Sequence, residues 1–443
     1  MSEILGILIQ ILFILIIFSF PTIIFTTSKR LNISQFSLID KISINLIFLI
    51  NILLFTSLLN IDSKYILYLY MILIIFFSFI NFKKFRIKNL KIDYYFIILL
   101  LFIILISIDI AHELYFGWDA KTIWFFKALN FYQNQKFENL KNFAVFDYPH
   151  LGTYVWYFFW KYSLNSFEYL GRIAYVFIYV LSIFSITECL KLRIYERIIF
   201  AILLIFSTYN YELFSGLQDV LVFSFILISS KFIYYFFEKK YKPITLELIC
   251  ILLGIANILC WVKNEALFFV FFLLFCLFIT NNLNSKTKIV LVVGALTILF
   301  IRILVFSFYE TELNPGYQFD KTFNIDFFEL INKTKIIFFY LIIYLTQNPI
   351  YFLTLPVLVY VSYKYRMKDI TKFTLYFMIL NFSFIYVVYL FKIDDVETQI
   401  RHSMKRVLFE TSGFYFLSIV NFINNYSDSF NFKNLSRNKT KKI

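Results

Sequence analysis

The chain presents one apolar stretch after another, each long enough to form a helix across a lipid bilayer. A hydrocarbon core about 30 Å thick needs about 20 apolar residues per helical crossing. No water is available there, so each backbone N–H and C=O must be satisfied within its own segment. Such stretches therefore become helices rather than open strands. They read as spans over 4–25, 43–60, 65–82, 94–110, 169–188, 198–211, 220–237, 244–261, 266–281, 288–308, 336–362, 373–391 and 407–424. The expected fold is an all-α, polytopic transmembrane bundle of about 13 spans. The 336–362 stretch is too long for one straight crossing and contains Pro349 and Pro356, which predicts a kink or a re-entrant piece.

Charged residues make up only 16% of the chain, which leaves little room for a soluble second domain. Three regions follow. Residues 1–93 hold N-terminal membrane helices, and 94–308 a central module with a large loop at 111–168. Residues 309–443 hold C-terminal helices, a second loop at 309–335 and a basic tail. The stretch Ile4–Phe25 lacks a basic n-region and a small-residue cleavage site, so it reads as a retained span. Cys189, Cys250, Cys260 and Cys276 lie in or at the ends of apolar stretches without metal-ligand spacing, and read as small hydrophobes.

The net charge of +14 does not point to nucleic acid. Lys and Arg gather in short loops, as they do on the cytoplasmic side of membrane proteins. The run Lys83, Lys84, Arg86, Lys88 and Lys91 assigns its loop to the cytoplasm. By alternation, the loops with Lys29 and Arg30, Lys191–Arg197, Lys239–Lys242, Lys286–Lys288 and Lys364–Lys372 fall on the same side, as does the tail Arg437–Lys442. The N-terminus and the loops 111–168 and 309–335 are then extracytoplasmic. The aromatic segment 151–163 is expected as an interfacial helix, because Trp and Tyr favour that depth.

Charges beside or within spans are costly and suggest sites. Most of the unusual ones fall on the outer face. His112 and Glu113 precede Trp118, Asp119, Ile123, Trp124 and Lys127, which read as an amphipathic surface helix with Asp119, Ile123 and Lys127 on one face. Asp119 falls where a helix-capping carboxylate belongs, so spacing leaves cap and catalytic acid both open. The loop ends at Asp147, Tyr148, Pro149 and His150; a lone interfacial His is more often simply polar. Asp219 opens a span, where capping again competes with function. Lys263 and Glu265 sit in a tight turn between spans, where they pair with each other or hold an anionic head group. Arg401, His402, Lys405 and Arg406 stand on the side the charge bias disfavours, which an anion site explains. Together these residues offer a base and a phosphate clamp, as transfer from a phosphate leaving group requires. There is no His/Cys metal set and no glycine-rich phosphate loop.

The ordered set Trp118-Asp119-Ala120…Lys127, Tyr148-Pro149-His150-Leu151, Gln218-Asp219, Lys263-Asn264-Glu265 and Arg401-His402 resembles the GT-C superfamily of membrane glycosyltransferases. It is similar to the branch related to protein O-mannosyltransferases and lipid A aminoarabinose transferases, over roughly 94–410. It departs from the pattern in having three spans before the one leading into the catalytic loop, His150 in place of a second proline, and no proline near Val407. The resemblance implies transfer of a sugar from a polyprenyl-phosphate donor to a glycan, lipid or protein acceptor outside the cytoplasm. Asp119 would be the base and Asp219 the second acid. Lys127, Tyr148 and His150 lie in the same motifs and are expected near substrate. Lys263, Glu265, Arg401 and His402 would contact the donor. No cofactor is implied, although two outer carboxylates leave a divalent metal open. The implied setting is a bacterial inner membrane with the site on the periplasmic side.

Two other classes compete. O-antigen ligases and polymerases also use outer Arg and His, but place their large loop late in the chain. Transporters and flippases put charge at the midplane. Here Lys231 and Arg302 are the main candidates, and both are long enough to snorkel.

Overall fold

The computed structural model describes residues 3–19, 36–81, 93–143, 145, 148–238, 241, 244–279, 283–309, 327–364, 369–391 and 395–426. Several features named above lie outside these: the basic runs at 29–30, 83–91, 239–240 and 437–442, residue Asp147, and most of the loop 309–335.

The described residues fold into helices and contain no strand. In chain order they are α1 (Glu3–Ser19), α2 (Leu38–Leu58), α3 (Ser63–Asn81), α4 (Tyr94–Glu113), α5 (Phe125–Tyr132), α6 (Leu151–Lys161), α7 (Tyr169–Thr187) and α8 (Ile194–Thr208). There follow α9 (Asp219–Phe237), α10 (Thr245–Val262), α11 (Asn264–Ile279), α12 (Ser285–Phe308), α13 (Phe327–Gln347), α14 (Pro349–Lys364), α15 (Asp369–Leu390) and α16 (Val396–Ser412). The α16 line continues through a 3-10 turn at Gly413–Tyr415 to Tyr426.

Among the described residues, eight helices are long and apolar enough to cross a membrane, or nine if α13 and α14 count as one broken span. Three further apolar helices, Glu3–Ser19, Ser63–Phe76 and Asn264–Ile279, are shorter. Each of the thirteen expected spans falls on a helix or, for 336–362, a helix pair, and these eight or nine have the length and apolarity of a crossing. The long 336–362 stretch does break: α13 and α14 meet at 96° across Asn348. Pro349 explains it, because its ring lacks the helical N–H and pushes the preceding residue out of helical backbone.

Burial grades from the centre outward. Every residue of α7 is buried, and nearly all of α9. On α12, by contrast, Leu296, Phe300, Ile303 and Leu304 are exposed. A helix that shows apolar side chains outward is in keeping with a hydrocarbon surround.

The aromatic segment forms α6, but Leu151 through Trp160 are buried all round. It packs on α7 and on α1, where Phe159 lies edge-on to Phe18 at 5.3 Å and its carbonyl takes a hydrogen bond from Gln10 at 2.8 Å. Its approach to α7 depends on Gly171, where a Cβ would meet the Trp156 carbonyl oxygen at 2.5 Å. Backbone cannot yield there as a side chain can. Gly171→Val is therefore expected to cost about 1 to 3 kcal/mol or more. The check is a lowered midpoint for heat-induced loss of monodisperse protein in detergent.

Lys231 does not snorkel. It is fully buried in α9 and pairs with Asp40 of α2 at 2.5 Å and Glu188 after α7 at 2.6 Å. Ser37 donates to Glu188 at 2.7 Å and Tyr235 to Asp40 at 3.1 Å. This cluster ties three elements at one end of the bundle. Arg302 is likewise occupied: its guanidinium donates to the Cys260 carbonyl and to Asn264 Oδ1, satisfying the break between α10 and α11.

Candidate active site

Two chain segments are stitched together before any acid is placed. Arg172 of α7, which is buried, donates to the Tyr115 carbonyl at 3.1 Å and the Phe214 carbonyl at 2.7 Å. Glu168 holds the same guanidinium at 3.0 and 3.1 Å. Gly117 N–H then donates to the Ser215 carbonyl at 3.2 Å. Gly216 follows with φ +94°, and a Cβ there would meet Trp156 at 2.8 Å and Ala120 at 2.9 Å. Only glycine takes that backbone without strain. The result sets Asp119 and Asp219, a hundred residues apart in sequence, within reach of one guanidinium.

That guanidinium belongs to Arg406 of α16. Its Nη1 donates to Asp119 Oδ2. Its Nη2 donates to Asp219 Oδ2 at 2.9 Å, and Nε lies 3.3 Å from both Asp219 oxygens. Lys263, at the end of α10, donates to Asp219 Oδ1 at 2.8 Å and to Glu410 Oε1. Arg406 and Glu410 are four residues apart, hence on one face of α16. The order is Asp119–Arg406–Asp219–Lys263–Glu410, contributed by the α4–α5 loop, the ends of α9 and α10, and the middle of the α16 line. It lies at the opposite end of α9 from the Lys231 cluster, about 18 Å away along the axis for twelve residues.

Exposure grades along the chain of charges. The Asp119 and Arg406 side chains are 26% and 33% exposed, Asp219 2% and Glu410 fully buried. One side of the network is thus open, and the other is sealed within the bundle. In the sealed part each charge is tolerable only because it is paired.

The geometry answers the capping question for both acids. Asp119 lies in the first turn but makes no side-chain cap bond. Asp219 is the first residue of α9, and its oxygens go to Lys263 and Arg406. Lys263 and Glu265 are not simply each other's partner, since Lys263 is held by Asp219 and Glu410. Glu265 is partly exposed, and its negative charge still acts on Lys263.

Other expected site residues lie apart from the network. Lys127 is fully buried and donates to the carbonyls of Val145 at 2.8 Å and Tyr148 at 2.7 Å. Its ammonium is taken up by these two carbonyls, whereas Asp119 is held by Arg406. Tyr148 packs edge-on to Trp124 at 5.7 Å. His150 is buried, 2.7 Å from Ser57 Oγ, and burial with Lys127 nearby pushes its ring down to about 3, so it stays neutral at neutral pH. Tyr148 and His150 line a small hollow with Phe137, Trp261, Phe306 and Tyr309. Arg401 is exposed and bonded to Glu397 and to Tyr340 at 3.0 Å, and His402 is exposed.

Glu410 and Arg172 are the functional-looking residues the sequence reading passes over. Glu410 carries a signal in retrospect: it is an acid inside an apolar stretch, one turn from a cation. Among the described residues no three His, Cys, Asp or Glu side chains converge as a metal site. Compared with known proteins, the chain matches no protein-family model, no curated protein and no solved structure.

Proposed function

We propose that this chain is a GT-C type glycosyltransferase of the bacterial inner membrane. It moves a sugar from a polyprenyl-phosphate donor to a glycan, lipid or protein acceptor on the extracytoplasmic side. The observation that carries the reading is the convergence of Asp119, Arg406, Asp219 and Lys263 from four distant segments at one end of the bundle, with only the Asp119–Arg406 side open.

The chemistry fits that arrangement. A carboxylate at the open edge can take the proton of an acceptor hydroxyl as it attacks the anomeric carbon. A guanidinium beside it can hold the departing phosphate through two hydrogen bonds. Asp219 and Lys263, sealed beneath, set the position of that guanidinium. In this reading Arg406 is the late Arg of the motif and Arg401 stands outside the site. Lys127 acts on loop shape rather than on substrate.

The test is incubation of purified protein with radiolabelled polyprenyl-phosphate sugars and a membrane extract as acceptor source. Release of the prenyl phosphate with capture of the label supports the reading. A complete failure across the common polyprenyl-phosphate hexoses and pentoses overturns it. Transport of the intact lipid across proteoliposomes would instead support a flippase.

A further inference from the structure

Arg406 cannot serve both carboxylates and a phosphate at once, and its two carboxylates differ in how readily each can be released. Asp219 is 2% exposed and is also held by Lys263 at 2.8 Å. Asp119 is 26% exposed, and among the described residues Arg406 Nη1 is its sole hydrogen-bond or ion-pair partner. Displacing Asp219 would strand a carboxylate in the interior. Displacing Asp119 turns a carboxylate into water, by a side-chain rotation alone. The fork also divides its work: Nε and Nη2 face Asp219, whereas Nη1 faces Asp119. The edge open to a newcomer is the Nη1 edge.

We infer that Arg406 masks Asp119 in the resting chain, and that a phosphate ester binding to Arg406 displaces Asp119 while leaving Asp219 in place. The donor's own anion thereby frees the carboxylate that acts as base. No bond is made or broken in this step; one anion replaces another on the guanidinium. Donor must then bind before the acceptor can lose its proton. An enzyme with only its acceptor bound keeps its base neutralised, which guards against unproductive reaction. The inference rests on the phosphate-donor reading above.

The experiment replaces Asp119 by Cys in a Cys250→Ser background, since Cys189, Cys260 and Cys276 are buried. The pH dependence of alkylation by a neutral maleimide then reports the thiolate. A guanidinium beside a thiol lowers its pKa. Alkylation near pH 7 is therefore expected to run about tenfold faster than when Arg406→Gln is added. A short-chain prenyl monophosphate should raise the pH midpoint to that of the Arg406→Gln protein, because the thiolate has been displaced from Arg406. A steric block would slow alkylation at every pH without moving the midpoint, and would overturn the exchange. If Arg406→Gln does not fold, Arg406→Met supplies the charge-free reference.

Binding of the radiolabelled prenyl phosphate is measured alongside on unmodified protein. Binding without a midpoint shift overturns the exchange alone. Absence of binding overturns the phosphate-donor reading, and the exchange with it. Inorganic phosphate forms a second arm. An equal shift there supports the exchange and removes the prenyl chain from it; a shift with the lipid only supports exchange by a lipid phosphate.

Discussion

Asp119→Asn is expected to lower sugar transfer about a thousandfold, within the range a general base contributes, while the protein still folds and inserts. Both halves of that expectation come from one geometry. Asn keeps the shape of Asp but cannot accept a proton from the acceptor hydroxyl. The fold is insulated from the change, because Arg406 retains Asp219 at 2.9 Å and is itself one-third exposed. Size-exclusion behaviour and thermal midpoint should therefore match the parent. Single-turnover transfer with labelled donor separates the loss of chemistry from any loss of binding. Normal transfer by this variant would remove Asp119 from the role of base and leave its pairing with Arg406 purely structural.

Lys263→Met has the largest expected effect on stability. Lys263 sits between Asp219 and Glu410, which are 2% and 0% exposed. Met fills the volume of the stem but leaves Glu410 facing Asp219 with no cation between them. Removing one partner of a buried ion pair costs about 3 to 5 kcal/mol. Adding Glu410→Gln should recover part of that loss, since it takes away the uncompensated charge. The comparison is made on thermal midpoints of the single and double variants in one detergent. Equal midpoints for Lys263→Met and the parent would mean that the pairing contributes nothing to folding.

Much of the bundle is legible because long apolar stretches have one outcome in lipid, and because Pro349 cannot continue the helix before it. Asp119, Asp219 and Lys263 were legible as charges at span ends, where cost demands a reason. Their capping alternatives could not be dismissed from spacing, since a first-turn acid serves either purpose. Choosing among Arg401, Lys405 and Arg406 needed the phase of α16, which depends on where the helix starts and which face the bundle covers. Glu410 is hidden for a related reason: it lies inside the last expected span, and its partner Lys263 stands 147 residues away in sequence. Lys127 is claimed by the carbonyls of Val145 and Tyr148, a tertiary contact that no spacing announces. The aromatic content of 151–163 makes a helix legible there, but not its burial among neighbouring helices. Gly171 is what admits it to the interior.

The Lys127 ammonium, buried against the carbonyls of Val145 and Tyr148, has one more consequence. It ties the end of the α5–α6 connection nearest α6 to the helix that follows Asp119. The conformational entropy of that long insertion is therefore surrendered during folding rather than at ligand encounter. An arriving substrate meets a carboxylate whose backbone is already in place, so its affinity is not spent on ordering the loop. Loosening Lys127 would be felt as weaker apparent binding, far from any atom the substrate touches.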